Sequence, residues 1–391
     1  MSNPLQDPDF FRNPYPTLAA LRSASPVQRM PSGGGRSSYV VTGYAEARAA
    51  FTDPRLSKDT AAFFAGKDTG RNLHPAVSHS MLATDPPRHT RLRSLVTKAF
   101  TPGAVARLRP YITRVTDELL DAWVPGEQTD AIASLAVPLP VAVICQLLGV
   151  PDADRAAVRA WSNDLFAAGQ PERIDSASHA VAGYLADLLA AKRRTPDESL
   201  LDDLIRARDG EDRLSEDELV SLAVLLLVAG HETTTNLIGN GLLALLQAPE
   251  SLRRLRDEPD LIDTAVDEVL RYDSPVSMAT FRFATETVSL GGTEIPAGCP
   301  VLIAPGAANR DPARFPAPDR VDLERDTRGH LAFGHGIHRC LGAPLARAEG
   351  GIAFRRITAR FPGLRLAVPG AELHWRHTRL MRGLEALPVL P

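Results

Sequence analysis

The chain has 391 residues, with 44 basic against 47 acidic side chains and a formal net charge of -3. That near-balance excludes the strongly basic excess of a general nucleic-acid or anionic-membrane binder. At 44% hydrophobic residues there is ample material for a large core, so a soluble globular chain is expected. Only four of the cations are lysines; the rest are arginines, which suit bidentate recognition of carboxylates or phosphates. Cys145, Cys299 and Cys340 make an odd count without framework spacing, which disfavours a disulfide scaffold, suits a reducing cytosol and leaves a thiol free for ligation or nucleophilic work. Met1 to Phe11 carries prolines and aspartates and no apolar stretch, so a cytoplasmic protein without a secretory signal is expected.

No internal repeat, low-complexity tract or long linker interrupts the chain, and a single domain spanning 1–391 is the simplest organisation. A short helix is predicted near Tyr15 to Arg22, then a hairpin of Val27 to Met30 and Ser38 to Thr42 around Gly33-Gly34-Gly35. From Leu56 to Asp85 periodicity is lost while Phe63, Phe64, Leu73, Val77 and Met81 remain, the composition of a functional lid or an irregular surface loop. Helical periodicity marks His89 to Ala99, Ala104 to Trp123, Ala153 to Ala167 and Ala177 to Arg193. The uncharged run Ala131 to Val150 is broken by Pro138 and Pro140, so it predicts a strand or loop followed by a buried helix over Val141 to Leu148, not a membrane span.

Ser215-x-x-Glu218 is a capping box, and the helix it opens, Glu216 to Leu246, is apolar nearly all round. At 1.5 Å per residue it spans roughly 45 Å and belongs in the core. Another helix follows at Leu261 to Tyr272. Short strands come next at Thr280 to Phe283, Val288 to Leu290 and Val301 to Ala304, and a last helix at Leu341 to Phe361. The fold class is therefore mainly α with small antiparallel β-sheets.

Two places break these patterns. Phe333-Gly334-His335-Gly336-Ile337-His338-Arg339-Cys340-Leu341-Gly342 sets a cysteine just before a helix, where unpaired N–H groups and the helix dipole favour a thiolate. The glycines leave room for close approach by something flat or bulky. Taken alone, Cys340 also fits a buried structural cysteine, and with His335 and His338 it sketches a zinc site that lacks a fourth ligand. The second place is Ala229-Gly230-His231-Glu232-Thr233-Thr234-Thr235, a polar cluster with a glycine inside the apolar helix. Thr233 can bond back to the Ala229 carbonyl while Gly230 weakens the ladder, opening a small polar notch. A buried-water or helix-contact patch is the plainer alternative, and His231 alone fits a satisfied core histidine.

These residues resemble the cytochrome P-450 family, the haem-thiolate monooxygenases, whose signature Phe-x-x-Gly-x-His/Arg-x-Cys-x-Gly is met by Phe333, Gly336, His338, Cys340 and Gly342. The resemblance implies the cytochrome P-450 fold, a haem b cofactor, Cys340 as the axial ligand of its iron, and His338 as a partner of a haem propionate. Ala229 to Thr234 matches the family's oxygen-binding motif, implying that Glu232 and Thr233 are the acid and alcohol that relay protons to the reacting oxygen. Glu268-x-x-Arg271 and the later Phe315-Pro316-x-Pro318-Asp319-Arg320 match the family's structural charge motif, with Arg320 as the further arginine. Helical counting alone puts Arg271 opposite the most apolar face. His89, Arg93 and Arg282 stand where the family places propionate-binding side chains.

The resemblance implies a small-molecule organic substrate, O2, and a ferredoxin with its reductase as electron donors, since no flavin, iron-sulfur or dinucleotide segment is evident. It implies a monomer, with no nucleic acid and no membrane as partner. Phe63, Phe64, Leu73, Met81, Leu226, Ala229, Met278 and Leu380 are the candidate apolar pocket, and the similar bacterial members tailor polyketides and macrolides. Arg339, Arg347, Arg355 and Arg356 form a candidate docking face for the donor. Two other classes stay open: a haem protein that senses or carries a gas, which has no need of Glu232 and Thr233, and a peroxide-driven hydroxylase, which normally replaces them.

Overall fold

The computed structural model describes residues 3–31, 37–67, 70–97, 100–165, 169–197, 199–209 and 214–391. They divide into two compact units. The first comprises Met1–Ser57, Ile112–Leu139 and Thr233–Pro391; the second comprises Lys58–Tyr111 and Pro140–Glu232. Of the four joints, that at Ser57–Lys58 follows a short strand, and the other three fall inside the helices Pro102–Asp121, Pro138–Leu148 and Glu216–Leu246.

The first unit holds every described strand. These are β1 (Val27–Pro31), β2 (Ser37–Val41), β3 (Leu56–Ser57), β4 (Thr129–Asp130), β5 (Arg282–Ala284), β6 (Val288–Leu290), β7 (Thr293–Ile295), β8 (Pro300–Ile303), β9 (Arg365–Leu366) and β10 (Pro388–Leu390). A five-stranded sheet runs β1-β2-β8-β5-β3, a three-stranded one β4-β10-β9, and β6 pairs with β7. The predicted hairpin forms, with Val27 opposite Val41 and Met30 opposite Ser38, and its glycine turn lies outside the described residues. All pairings are antiparallel except β2 with β8, where Tyr39 and Val41 run parallel to Val301 and Ile303. Alternation puts Val27, Tyr39, Val41, Val301 and Ile303 on one core with Ala47, Ala50 and Phe51. The helix Tyr44–Thr52 thus lies against the sheet and carries Phe51 inward.

The second unit is helical among its described residues. Its irregular stretch before Arg88 is not loose: Arg71 and the Asn72 amide both bond to Asp175, and the His74 amide donates to Ser178 Oγ at 2.9 Å, all on the helix Pro171–Arg194. Short helices Thr60–Phe64 and Pro75–Ser78 occupy it.

The long helix begins as its capping box dictates. The Glu218 amide donates to Ser215 Oγ and the Ser215 amide to Glu218 Oε2, both at 3.1 Å. Glu216–Leu246 is the one described helix long and apolar enough to cross a membrane, and most of its apolar window is buried in the fold. Where a strand or loop is expected from residue 131, a π-helical turn Ile132–Ala136 leads directly into the helix Pro138–Leu148. Pro138 and Pro140 do not break it, because they fall in the first turn, whose N–H groups have no intrahelical partner.

Candidate functional site

Around Cys340 the backbone is set by glycine and by Phe51. Gly334 (φ 67°) and Gly336 (φ 74°) occupy the left-handed region that other residues avoid. At Gly336 a Cβ would also stand 3.0 Å from the Phe51 carbonyl oxygen, so helix and loop approach as closely as backbone allows. The Cys340 amide then donates to the Phe333 carbonyl at 2.8 Å, closing the loop just ahead of the helix Ala343–Arg360. Cys340 is exposed, whereas Cys145 is buried and its thiol is pushed up to about 11 by burial, and Cys299 is half-buried against the sheet core. Of the three thiols, Cys340 alone is open and at a helix start, where the dipole favours the thiolate.

Arg282, on β5, is almost fully buried, and its guanidinium lies 5.0 Å over the ring of Phe51. Phe51, which the sequence reading did not single out, thus joins Arg282 to the glycine loop. His338 sits partly buried in the 3-10 turn Gly336–His338. Thr233, on the long helix, belongs to this first unit as well.

The remaining predicted residues, His89, Arg93 and Glu232, belong to the second unit. His89 and Arg93 stand four apart on the helix Arg88–Thr97; His89 is buried, and burial followed by the nearby Arg93 charge holds its pKa below the usual histidine range. On the same helix Arg91 and Arg88 turn to Glu218, at 2.5 and 3.5 Å. Glu232 is buried.

The long helix is α-helical throughout its polar cluster. Gly230 permits packing: a Cβ there would come 2.8 Å from Ile144 Cδ1 on the helix Pro138–Leu148. Along one face at intervals of four, Leu225, Ala229 and Thr233 are open in a helix that is otherwise largely buried. His231 is buried, with Nδ1 3.2 Å from the Leu227 carbonyl. Of the apolar pocket candidates, Phe64 and Ala229 are exposed, Phe63, Leu73 and Leu380 half-buried, and Met81 and Leu226 buried. Met278 packs with Leu5, Phe10 and Leu18 in a core cluster.

Glu268 and Arg271 are both fully buried and paired through two contacts, Nε to Oε2 at 2.7 Å and Nη2 to Oε1 at 2.8 Å. Helical counting placed Arg271 away from the apolar face; the loop that follows β8 covers it, and Nη1 donates to the carbonyls of Asn309 and Pro318. The expected third arginine is corrected. Arg320 offers only its carbonyl, to Arg271 Nη2, and is otherwise exposed, whereas the Arg325 side chain reaches Glu268 Oε1 at 3.3 Å.

The candidate docking arginines are partly spoken for. Arg347 pairs with Asp267 at 2.7 Å and stacks over Phe333; Arg356 pairs with Asp117 at 3.0 Å; Arg355 donates to the Pro259 carbonyl; Arg339 is exposed. Among the described residues no group of three or more His, Cys, Asp or Glu could hold a metal ion, so His335, His338 and Cys340 do not assemble a zinc site.

One open thiol at a helix start, a glycine-built approach to it and a buried arginine beside that loop form a donor set that fits a haem with carboxylate side arms. The sequence profile described as Cytochrome P450 matches residues 162–363. The cytochrome P450 monooxygenase PikC of Streptomyces venezuelae is 48% identical over 97% of this chain and 92% of its own length. Mycinamicin IV hydroxylase/epoxidase of Micromonospora griseorubida is 41% identical over 95% of this chain and 94% of its own. The structure of the tirandamycin C-bound P450 monooxygenase TamI superposes with a TM-score of 0.91 at 46% identity, covering 98% of this chain and 99% of that one. Likeness at this level over nearly the full length means that the chain belongs to the cytochrome P450 family, monooxygenases that bind haem b and place one oxygen atom of O2 in an organic substrate.

Proposed function

We propose that this monooxygenase hydroxylates or epoxidises a secondary metabolite of the polyketide or macrolide class, as a cytoplasmic monomer in which the chain works as one domain. The names of its relatives support the substrate class, with PikC, the mycinamicin IV enzyme and TamI all alike over nearly the whole chain. Cys340 would ligate the haem iron through its thiolate, and its exposure at a helix start is the observation that carries the assignment. Arg282, His338, His89 and Arg93 are the side chains that would hold the two haem carboxylates, since a partly buried carboxylate needs a cation or donor.

Bound haem supplies the activation of O2, which a thiolate ligand promotes by pushing electron density onto iron. The chain's own task is to place substrate and deliver protons. Putting one oxygen atom into a C–H bond and releasing the other as water consumes two electrons and two protons. The electrons come from a ferredoxin fed by its reductase, with Arg339 an exposed cation next to Cys340. Glu232, buried, and Thr233, at the open edge of the long helix, hold and pass the protons. The open face of Leu225, Ala229 and Thr233 is the surface that this helix offers to substrate.

The test is the carbon monoxide difference spectrum of the reduced protein together with Cys340→Ala. The natural protein should show a thiolate-ligated haem, and the variant should lose both that spectrum and all oxygenation. A thiolate spectrum surviving in Cys340→Ala would move the ligand to Cys145 or Cys299.

A further inference from the structure

In the first unit a cleft of about 740 Å³ is bordered by four arginines, Arg12, Arg22, Arg310 and Arg382, and by two carboxylates, Asp273 and Asp319. Four cations against two anions reverse the balance of a chain whose formal charge is -3. None of Cys340, Arg282, His338 or Thr233 borders the cleft, and its volume is that of an ordinary small-molecule site.

Burial sharpens the imbalance. Arg310 and Arg382 are each 8% exposed and Asp273 7%, whereas the side chain of Asp319 is 75% exposed. Asp273 answers Arg382: its Oδ1 accepts from Nε at 2.5 Å and from the Tyr15 hydroxyl at 2.6 Å. Arg310 is left with Nη1 to Asp319 Oδ1 at 2.8 Å, a bond whose acceptor stands in water and adds little. Its Nε donates to the Tyr272 carbonyl at 2.8 Å, and the rings of Tyr15 and Tyr272 lie against the guanidinium at 3.7 and 3.8 Å. Nη2 is the nitrogen not spent on these bonds. Arg22 stands beside it, because its Nη1 and the Arg310 amide donate to the same carbonyl, that of Ala307, at 3.0 and 3.1 Å. Asp311, the carboxylate paired with Arg22, is 3.9 Å away and already accepts from the amides of Tyr44 and Ala313. Arg12 pairs with Asp9 at 3.3 Å, both exposed. Two cations therefore meet at the Ala307 carbonyl, and among the described residues neither has a buried carboxylate within hydrogen-bond distance.

We propose that this cleft is a ligand site separate from the haem pocket, and that it takes a small organic anion, a carboxylate carried on a flat aromatic body. A buried positive charge is costly unless it is paired, and a carboxylate entering the cleft supplies the missing partner to Arg310 Nη2 and Arg22. Guanidinium groups suit this, since they present paired donors to a planar oxyanion. The flat body follows from the walls. Tyr15 and Tyr272 lie against Arg310, and the Arg382 guanidinium lies 3.6 Å over Trp375, so rings and guanidinium planes line the cleft as stacked plates. Trp375 is half-buried and keeps a second face for one plate more, and Leu243 and Ala244 add apolar lining from the end of the long helix. Because Arg310 and Arg382 are already fixed by carbonyls, carboxylates and rings, little freedom is lost when the anion arrives. A metal cation would meet four arginines, and inorganic phosphate would leave the aromatic surface unused.

Calorimetric titration of the holoenzyme with 2-naphthoate tests this, the haem pocket being blocked by saturating 4-phenylimidazole, which ligates the iron. One equivalent should bind with a dissociation constant of about 0.1 mM or tighter. The affinity should fall severalfold as salt rises from about 0.05 to about 0.5 M. 2-Naphthamide, the same ring without the charge, should bind at least about tenfold more weakly. Two variants place the site. Arg22→Gln keeps a donor for the Ala307 carbonyl and should weaken 2-naphthoate at least about tenfold. Ala19→Trp fills the cleft from the helix Tyr15–Ala24, leaves every arginine in place and should abolish binding. Both variants should keep the carbon monoxide spectrum and the thermal midpoint of the natural protein, which separates lost binding from lost fold. No heat from 2-naphthoate in the blocked holoenzyme overturns the proposal, as does an affinity unchanged in either variant. Equal binding of the amide overturns the assignment of an anion.

Discussion

Gly230 and Ile144 fill one space: a Cβ on the glycine would stand 2.8 Å from the isoleucine Cδ1 and 3.0 Å from its Cγ1. The glycine in the middle of the long helix is therefore a packing requirement. Alanine is the better helix former by about 1 kcal/mol, yet overpacking costs about 1–3 kcal/mol, so Gly230→Ala should lower the thermal midpoint. Ile144→Val removes the nearer carbon, and the glycine substitution should cost at least about 0.5 kcal/mol less in that background. Strict additivity in the double-mutant cycle would show that something else excludes a side chain at 230.

The buried charge cluster predicts three unequal substitutions. Arg271→Met strands Glu268 and should cost about 3–5 kcal/mol. Arg325→Met leaves Glu268 its bidentate partner and should cost clearly less. Arg320→Ala keeps the carbonyl that Arg271 uses and should stay within about 0.5 kcal/mol. Denaturant unfolding of the three variants ranks them, and a costly Arg320→Ala would contradict the assignment of the third arginine to Arg325.

Glu349, on the helix that follows Cys340, is fully buried with Oε2 unpartnered, and burial holds its carboxyl well above the usual range. A raised acid is neutral when folded and ionises on unfolding, so its contribution is fully present below about 4.5 and is lost as pH rises towards the folded value. Glu349→Gln, neutral in both states, escapes that loss. Its stability advantage should grow between pH 5 and 8 by at most about 1.4 kcal/mol per unit. An advantage that stays flat across those pH values would mean that the carboxyl is charged in the fold.

Arg339 should govern electron delivery more cleanly than Arg347. Arg339→Glu should slow reduction of the iron by ferredoxin about tenfold at low salt, with the difference fading as salt rises. Arg347→Glu would set a carboxylate beside Asp267, its present partner, and should also lower the thermal midpoint. Reduction rates indifferent to salt and to the charge at 339 would place the docking surface elsewhere.

What the sequence made legible was local. The capping box at Ser215 and Glu218 located the long helix to the residue, and the run from Phe333 to Gly342 marked the thiol, because both are signals carried by adjacent residues. Contacts between distant segments were not legible. Phe51 reaches Arg282 and the cysteine loop across more than 200 residues of chain. Arg271 is covered by carbonyls of a loop whose path no periodicity predicts, and Arg325 rather than Arg320 closes on Glu268 for the same reason. Asn236 and Asn240 were lost in a helix read as apolar nearly all round, since the polar backbone that faces them comes from residues 382 and 383.

Because the joint at Glu232–Thr233 lies within a continuous helix, the residue count there is as constrained as residue identity. One inserted or deleted residue would turn one part of the helix against the other by about 100°, and Glu232 would no longer share a face with Asn236 or Thr233 keep its phase with Leu225. Recombination between relatives should therefore tolerate crossovers at 139/140 and 232/233 only when both parents keep the same helical phase, and length variation should collect in the irregular stretches instead.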